Sequence, residues 1–234
     1  MRTCTWAPTT FQGTQVVSRD AKPIVIPKGK ELVDYTSSIV RGYENIGLTD
    51  LLIAQRWWGT GQEIEGSSLD CLAMTALFAA HTEKLKLITA IHPGFFSPTT
   101  IAKWAATIDN LTQGRWAINV TSGWNMDEFD MYGVDKLDHD ARYQRSAEFV
   151  EVLRGAWDNN VFDYHGQYFQ ANELQLEPRP IATLEVFQGG QSDAAIKLGA
   201  QHSDWMFLNG GSLERIGGVI EKVKKAAKQN GRKV

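Results

Sequence analysis

The chain alternates short, mostly apolar runs with segments of helical periodicity from one end to the other. Each run is short enough, and apolar enough, to be a strand buried on both faces. The six runs are Thr3 to Ala7, Leu51 to Ala54, Leu85 to Ala90, Trp116 to Thr121, Leu184 to Phe187 and Trp205 to Leu208. Because strands that alternate with helices form parallel sheets covered by those helices, the pattern predicts an α/β fold of six βα units.

The segments between the runs carry helix start signals. Ser67 to Asp70 resembles a capping box, and Ser97-Pro98 places a hydroxyl N-cap before a proline at the first helical position. Further helices are predicted from Arg142 to Trp157, after Ser192 and after Ser212. The faces predicted to be buried in the first two helices are Leu69, Leu72, Ala73, Ala76 and Ala79, and then Ile101, Trp104, Ala105, Ile108 and Leu111.

Two long segments interrupt the alternation. Residues 122–140 separate the fourth strand from its helix, and residues 158–181, which contain Tyr164 to Gln167, read as a hairpin. Six βα units do not close an eight-stranded barrel, and the first strand lacks the glycine fingerprint of a doubly wound sheet. We therefore expect two further βα units, about 60 residues at about 30 per unit, to follow Val234 in the natural protein.

Composition limits the partners and the location. The 24 Lys and Arg against 27 Asp and Glu give a net charge of -3, which offers no basic field to nucleic acid. No run approaches the roughly 18 apolar residues of a membrane helix, and the amino terminus lacks the apolar segment of a signal peptide. Cys4 and Cys71 cannot form a disulfide framework. We expect a cytoplasmic protein with no membrane or nucleic-acid partner, and the spacing of its histidines predicts no metal site.

The segment from Phe187 to Ser192 runs from a strand through Gly189 and Gly190 into a helix whose expected N-cap is Ser192. Free amide protons and the positive end of a helix meet at such a turn, so it can bind an anion. The alternative is an ordinary turn with a serine cap. Asp193 follows in the first turn, and because its carboxylate would repel a phosphate, we expect it to point away.

Polar residues cluster at two other places. Asn119 to Ser122 end the fourth strand with an amide and hydroxyls, which can hydrogen-bond the edge of a heterocycle, although strand ends are often polar. Arg142 and Tyr143 fall in a first helical turn, where a cation is unfavourable unless an anion lies nearby. A solvated helix start is the alternative.

Aromatic residues flank a cation after two of the strands. Gln55-Arg56 precedes Trp57 and Trp58, and His92 precedes Phe95 and Phe96. Such clusters can line a pocket for a flat cofactor and a small polar or anionic substrate, and surface packing of the aromatic rings explains them equally well.

Taken in order, these segments resemble the bacterial luciferase-like, flavin-dependent monooxygenases, and most closely the dimethylsulfone and alkanesulfonate monooxygenase group. The resemblance extends over nearly the whole chain. It rests on the following stretches: Ala105 to Arg115, Asn119 to Trp124, His139 to Tyr143, Phe187 to Ser192 and Ser203 to Trp205.

The resemblance implies a TIM (β/α)8 barrel, present here as a single flavin-binding domain over residues 1–234 that lacks its last two βα units. It implies reduced FMN from a separate NAD(P)H-dependent flavin reductase, reacting with O2 through a C4a-peroxyflavin. The expected reaction is oxidative C–S cleavage of a small organosulfur compound, dimethylsulfone or an alkanesulfonate, by a homo-oligomeric enzyme. Two alternatives stay open, a related flavin- or deazaflavin-dependent oxidoreductase acting on another substrate and a flavin-binding protein without turnover.

The same resemblance implies a set of site residues. Tyr143 and Ser192, with Gly190, are expected near the FMN phosphate, and Gln55 and Arg56 near the ring system. The full set expected to bind the cofactor is Gln55, Arg56, Asn119, Glu128, Arg142, Tyr143, Gly190 and Ser192. The candidates for polar or proton-transfer roles in catalysis are Arg56, His92 and His139.

Overall fold

A computed structural model describes residues 2–10, 27–58, 68–208 and 210–232. The chain divides into two compact units, one formed by Met1–Ala90 with Leu111–Trp116, the other by Ile91–Asn110 with Ala117–Val234. Ser67, part of the expected capping box, and Val234 lie outside the described residues.

The first unit is built on parallel strands. Its elements are β1 (Cys4–Trp6), α1 (Lys30–Asn45), β2 (Asp50–Ile53), α2 (Cys71–His81) and most of β3 (Lys86–Ile91). β2 pairs with both neighbours, Leu51 with Thr5 of β1 and Leu52 with Ile88 of β3. Every residue of β2 is buried, as expected for a strand covered on both faces.

Most of the remaining elements belong to the second unit. They are a 3-10 turn (Pro93–Phe95), α3 (Pro98–Thr112), β4 (Trp116–Val120), α4 (Met126–Met131), α5 (His139–Asp158), β5 (Phe162–His165), β6 (Gln170–Leu174), β7 (Glu185–Gly189), α6 (Asp193–His202), β8 (Trp205–Phe207) and α7 (Leu213–Gln229). β7 is parallel to β4, with Val186 beside Ile118, and to β8, with Gln188 beside Met206.

The six predicted strands are confirmed, each within two residues at either end. The predicted hairpin is confirmed as the antiparallel pair β5 and β6. It is fastened to α5 through Glu148, whose carboxylate accepts the backbone N–H groups of Gln167 and Tyr168 at 2.8 Å and of Phe169 at 3.2 Å. The insertion is therefore held by the helix that precedes it.

The prediction for the buried face of α2 was wrong. Asp70 caps this helix by accepting the N–H of Ala73, and the buried residues are Cys71, Met74, Thr75 and Phe78. The helix is apolar nearly all round, so periodicity did not distinguish the two faces, and the bulkier Met74 and Phe78 pack inward. In α3 one residue of the predicted face, Leu111, is 72% exposed, since it lies at the last turn of the helix.

Candidate functional site

The turn from β7 into α6 combines a glycine of positive φ with a serine N-cap. Ser192 is the N-cap, and its side chain accepts the N–H of Ala195 at 3.2 Å. Gly190 has a φ of +129°, and a Cβ at that position would lie 2.8 Å from the Cβ of Ala195 and 3.3 Å from the hydroxyl of Tyr143. Only glycine fits here, because both the backbone conformation and the space exclude a side chain.

Tyr143 reaches this turn from α5. The Ser192 hydroxyl donates to the Tyr143 hydroxyl at 3.5 Å, so two side chains far apart in sequence meet at the N-terminus of α6. Asp193 points away, as expected, with its side chain 94% exposed and its carboxylate 3.5 Å from Nζ of Lys222 on α7. The arrangement offers two hydroxyls and a positive helix end, with the adjacent carboxylate directed elsewhere.

Arg142 is held at the start of α5. Asp138 caps this helix by accepting the N–H of Ala141 at 2.8 Å. One terminal nitrogen of Arg142 donates to the carbonyl of Leu137 at 2.8 Å and contacts the Met126 sulfur at 3.6 Å. Its Nε atom is buried without a hydrogen-bond partner among the described residues. Arg142 is thus a partly buried side chain bound to the backbone and to α4, which argues against a solvated helix start.

The end of β4 is tied to the same helix. The Ser122 and Ser146 hydroxyls lie 2.8 Å apart, and the Ser146 hydroxyl also donates to the carbonyl of Arg142 at 2.9 Å. Asn119 is 6% exposed, and its Nδ2 donates to Thr121 at 3.3 Å, while Oδ1 has no partner among the described residues. A buried amide oxygen of this kind can accept a hydrogen bond from a ligand.

Glu128 and His92 lie in buried surroundings. Glu128 is fully buried on α4, the helix whose Met126 contacts Arg142. The His92 ring is 6% exposed and stacks at 6.5 Å on Phe129, which packs edge-on against Phe95 at 4.7 Å. The loop after β3 therefore presents an imidazole within an apolar, aromatic environment.

His139 has different surroundings. Its side chain is about half exposed, Nδ1 lies 2.8 Å from an Asp140 carboxylate oxygen, and its ring centre is 5.0 Å from that of Tyr143. The structure therefore groups His139 with Tyr143 rather than with the buried His92.

Gln55 and Arg56 belong to the first unit. Both are 4% exposed. The backbone N–H of Arg56 donates to the Ser68 hydroxyl at 2.9 Å, which fixes the loop after β2. The other expected site residues belong to the second unit, where the contacts above connect Tyr143 to Gly190, Ser192 and His139, and Arg142 to α4.

Sequence reasoning missed Arg145 and Gln188. Arg145 is 7% exposed and lies four residues before the buried Phe149, so it continues the apolar stripe of α5. A charge on a buried stripe is the signal that could have identified it. Gln188 is 1% exposed on β7, and its Oε1 has no partner among the described residues. The signal was weaker here, because Gln188 is the first residue after the predicted strand Leu184 to Phe187.

Two further findings concern metals and membranes. Within the described parts of the chain, no three His, Cys, Asp or Glu residues are grouped so that they could hold a metal ion. No helix in those parts is both long enough and apolar enough to cross a bilayer.

The family model described as luciferase-like monooxygenase matches residues 1–234. The chain belongs to the luciferase-like monooxygenase family. An FMNH(2)-dependent dimethylsulfone monooxygenase from Pseudomonas putida is 39% identical over 204 residues, covering 86% of this chain and 56% of the relative. Pyrimidine monooxygenase RutA from Allorhizobium ampelinum is 32% identical over 207 residues, covering 85% of this chain and 56% of the relative.

Among solved structures, DmoA from Hyphomicrobium sulfonivorans superposes with a TM-score of 0.81 at 22% identity, covering 100% of this chain and 57% of the other. This likeness confirms the predicted fold class, an α/β chain of the TIM-barrel type found in luciferase-like monooxygenases. This luciferase-like chain spans 56% of the length of the two curated relatives described above.

Proposed function

We propose that this luciferase-like chain is the flavin-binding domain of a two-component, FMNH2-dependent monooxygenase acting on a small organosulfur compound. The observation that carries the proposal is the junction of Gly190, Ser192 and Tyr143 at the N-terminus of α6. Family membership and the 39% identity to a dimethylsulfone monooxygenase support the same activity.

The residues of the second unit fit FMN. The terminal phosphate would lie against the first turn of α6, with hydroxyls from Ser192 and Tyr143 and with Gly190 allowing close approach. The buried Oδ1 of Asn119 would accept a hydrogen bond from the ring system. Glu128 and Arg142 complete the proposed set in this unit. Gln55 and Arg56, which belong to the first unit, are proposed as cofactor-binding residues from the family resemblance alone.

Bound reduced FMN supplies the two electrons that activate O2. For dimethylsulfone the balance is (CH3)2SO2 + O2 + FMNH2 giving methanesulfinic acid, formaldehyde, water and FMN. An alkanesulfonate would give sulfite and an aldehyde by the same two-electron balance. In both cases one C–S bond breaks and the carbon leaves as a carbonyl compound.

The chain's own part is to bind, to exclude water and to move protons. The aromatic side chains around His92 provide an apolar environment in which water has little access. His92, buried there, and Arg56 are the proposed catalytic groups for proton transfer and for stabilising charge on oxygen. His139, half exposed beside Tyr143, is retained as a third candidate.

The remaining expectations stand as proposals. The reduced flavin would come from a separate NAD(P)H-dependent flavin reductase, and the enzyme would be a cytoplasmic homo-oligomer whose single barrel domain includes residues 1–234. Cys4 and Cys71 are both free thiols, which is consistent with a reducing compartment.

The deciding experiment combines flavin titration with product analysis. The protein is titrated with FMN and with a deazaflavin, and then incubated with a flavin reductase, NADH, O2 and either dimethylsulfone or methanesulfonate. We expect preferential FMN binding and O2-dependent formation of formaldehyde. Preference for the deazaflavin would indicate a dehydrogenase, and FMN binding without any product would indicate a binding protein; either result would overturn the proposed activity.

A further inference from the structure

Arg145 is a buried cation in the second turn of α5. Its side chain continues the buried stripe of the helix, and the whole residue is only 7% exposed. Among the described residues its guanidinium makes no hydrogen bond or ion pair, and its Nε atom is fully buried. A buried charge without a compensating group is costly, so Arg145 calls for a partner that the described residues do not supply.

The guanidinium lies beside an aromatic ring and a glycine. Its Cζ atom lies 5.8 Å from the centre of the Phe129 ring. A Cβ on Gly94, in the loop after β3, would lie 2.5 Å from the Nη2 atom of Arg145 and 2.9 Å from the Cγ1 atom of Val134. The ring attracts the positive charge but does not accept the in-plane N–H donors, which stay available to oxygen atoms.

The charged groups nearby do not neutralise Arg145. Burial is the largest influence on Arg145 and lowers its pKa, the charges of Asp135 and Tyr168 raise the pKa, and the positive charge of Arg142, the smallest of these influences, lowers it. Asp135 is exposed and does not form an ion pair with Arg145. Asp135 therefore acts on Arg145 only at a distance, and the guanidinium has no ion-pair partner among the described residues.

Arg145 does not share the face of α5 that carries Tyr143. Two residues along an α-helix correspond to a rotation of about 200° about its axis, so the two side chains leave the helix in nearly opposite directions. Tyr143 is directed to Gly190 and Ser192, whereas Arg145 is directed to Gly94 and Phe129. An anion at Arg145 is thus separate from a phosphate at Ser192.

We propose that Arg145 is a specificity-determining residue that binds the anionic end of the substrate, a sulfonate held by its planar N–H donors. This inference rests on the proposed function and deepens it, because it makes the substrate an alkanesulfonate rather than a neutral sulfone. The fork of an arginine matches a pair of sulfonate oxygens, as it matches carboxylate or phosphate oxygens.

The test is a calorimetric titration of the FMN-loaded chain with methanesulfonate, dimethylsulfone and inorganic sulfate. We expect methanesulfonate to bind at least tenfold more tightly than the other two. Arg145→Met, which keeps a long apolar stem, should weaken methanesulfonate binding at least tenfold, and Arg145→Lys should weaken it less. Arg154→Met is the matched control on the same helix, because Arg154 is already paired with Asp204 at 2.7 Å.

Two other measurements separate this inference from the proposed function. FMN affinity, measured by flavin fluorescence, should stay within twofold in Arg145→Met, and the melting temperature of the unliganded variant should be level or higher, because an uncompensated charge is removed. Unchanged methanesulfonate affinity in Arg145→Met, or equal affinity for sulfate and methanesulfonate, would overturn the assignment of Arg145. Absence of FMN binding in the wild-type chain would instead overturn the proposed function.

Discussion

The hydroxyl of Ser192 lies 3.5 Å from the hydroxyl of Tyr143, and this contact joins the capped start of α6 to the N-terminal part of α5. The Ser192 oxygen also accepts the N–H of Ala195 in the first turn of α6 at 3.2 Å. We therefore expect FMN binding to depend on the charge of the side chain at position 192.

Ser192→Asp should weaken FMN binding at least tenfold, because it places a second carboxylate beside Asp193 against a dianion. Aspartate is itself a good N-cap, so the melting temperature should hold. Ser212→Asp is the control: Ser212 caps α7 with the same geometry, accepting the N–H of Arg215 at 3.2 Å. Equal FMN affinity in both variants, measured by fluorescence titration, would remove Ser192 from the phosphate site.

Gly190→Ala should destabilise the protein by about 1 to 3 kcal/mol and abolish tight FMN binding. The added methyl group meets the Cβ of Ala195, and φ at this position is +129°. At Gly189 a Cβ would meet nothing within 4 Å, so Gly189→Ala should have the same urea midpoint of unfolding as the wild-type protein. If the two variants have the same urea midpoint, the proposed crowding at Gly190 is wrong.

Arg142→Ala should lower FMN affinity with only a modest loss of stability. The substitution removes a hydrogen bond to the carbonyl of Leu137, which contributes about 1.5 to 3 kcal/mol, and relieves the repulsion with Arg145. Arg154→Ala breaks an ion pair on the same helix and should lower the melting temperature without affecting flavin. Normal FMN binding by Arg142→Ala would make Arg142 a structural residue.

The acid stability of the first unit should depend on Glu44. Partial burial alone would raise the pKa of this carboxyl, but the N–H groups of Lys84, Leu85 and Glu83, together with the charge of Arg115, lower the pKa below its usual value of 4.5. Because the folded pKa lies below the unfolded one, Glu44 stabilises the protein above the unfolded pKa, and this contribution disappears as pH falls through the folded pKa.

Glu44→Gln should therefore reduce the free energy of unfolding at neutral pH and flatten its decline below the unfolded pKa of Glu44. Urea denaturation between pH 6 and pH 3 measures both effects, with the exposed Glu31→Gln variant as the comparison. Parallel curves for the wild-type protein and Glu44→Gln would contradict the role assigned to these hydrogen bonds.

The sequence predicted the strands well because each is a short apolar run between turn signals, and buried strands leave that pattern directly. Two helices escaped prediction for physical reasons. Two of the three buried residues of α1, Thr36 and Ser37, are polar, so its inner face is not a stripe of apolar residues. α4 has only six residues, which is less than two turns and too short for a helical period to be visible.

The candidate site could be predicted where a local motif defines the backbone conformation. It was harder to predict where residues distant in sequence come into contact. Gly190 and Ser192 could be assigned from their place between a strand and a helix. The contact of Ser122 with Ser146 and the burial of Arg145 depend on how α5 packs, which composition does not specify. A charged residue on a helix is usually exposed to solvent, so the burial of Arg145 was not predicted.

Helix α5 has several functions within two turns. Arg142 holds the loop that precedes the helix, Tyr143 reaches the cap of α6, Ser146 binds the end of β4 and Glu148 fastens the hairpin. Arg145 lies between them. In this stretch nearly every side chain contacts a different part of the fold. Its tolerance of substitutions should therefore be among the lowest in the protein. No single selective pressure would account for the residues found there.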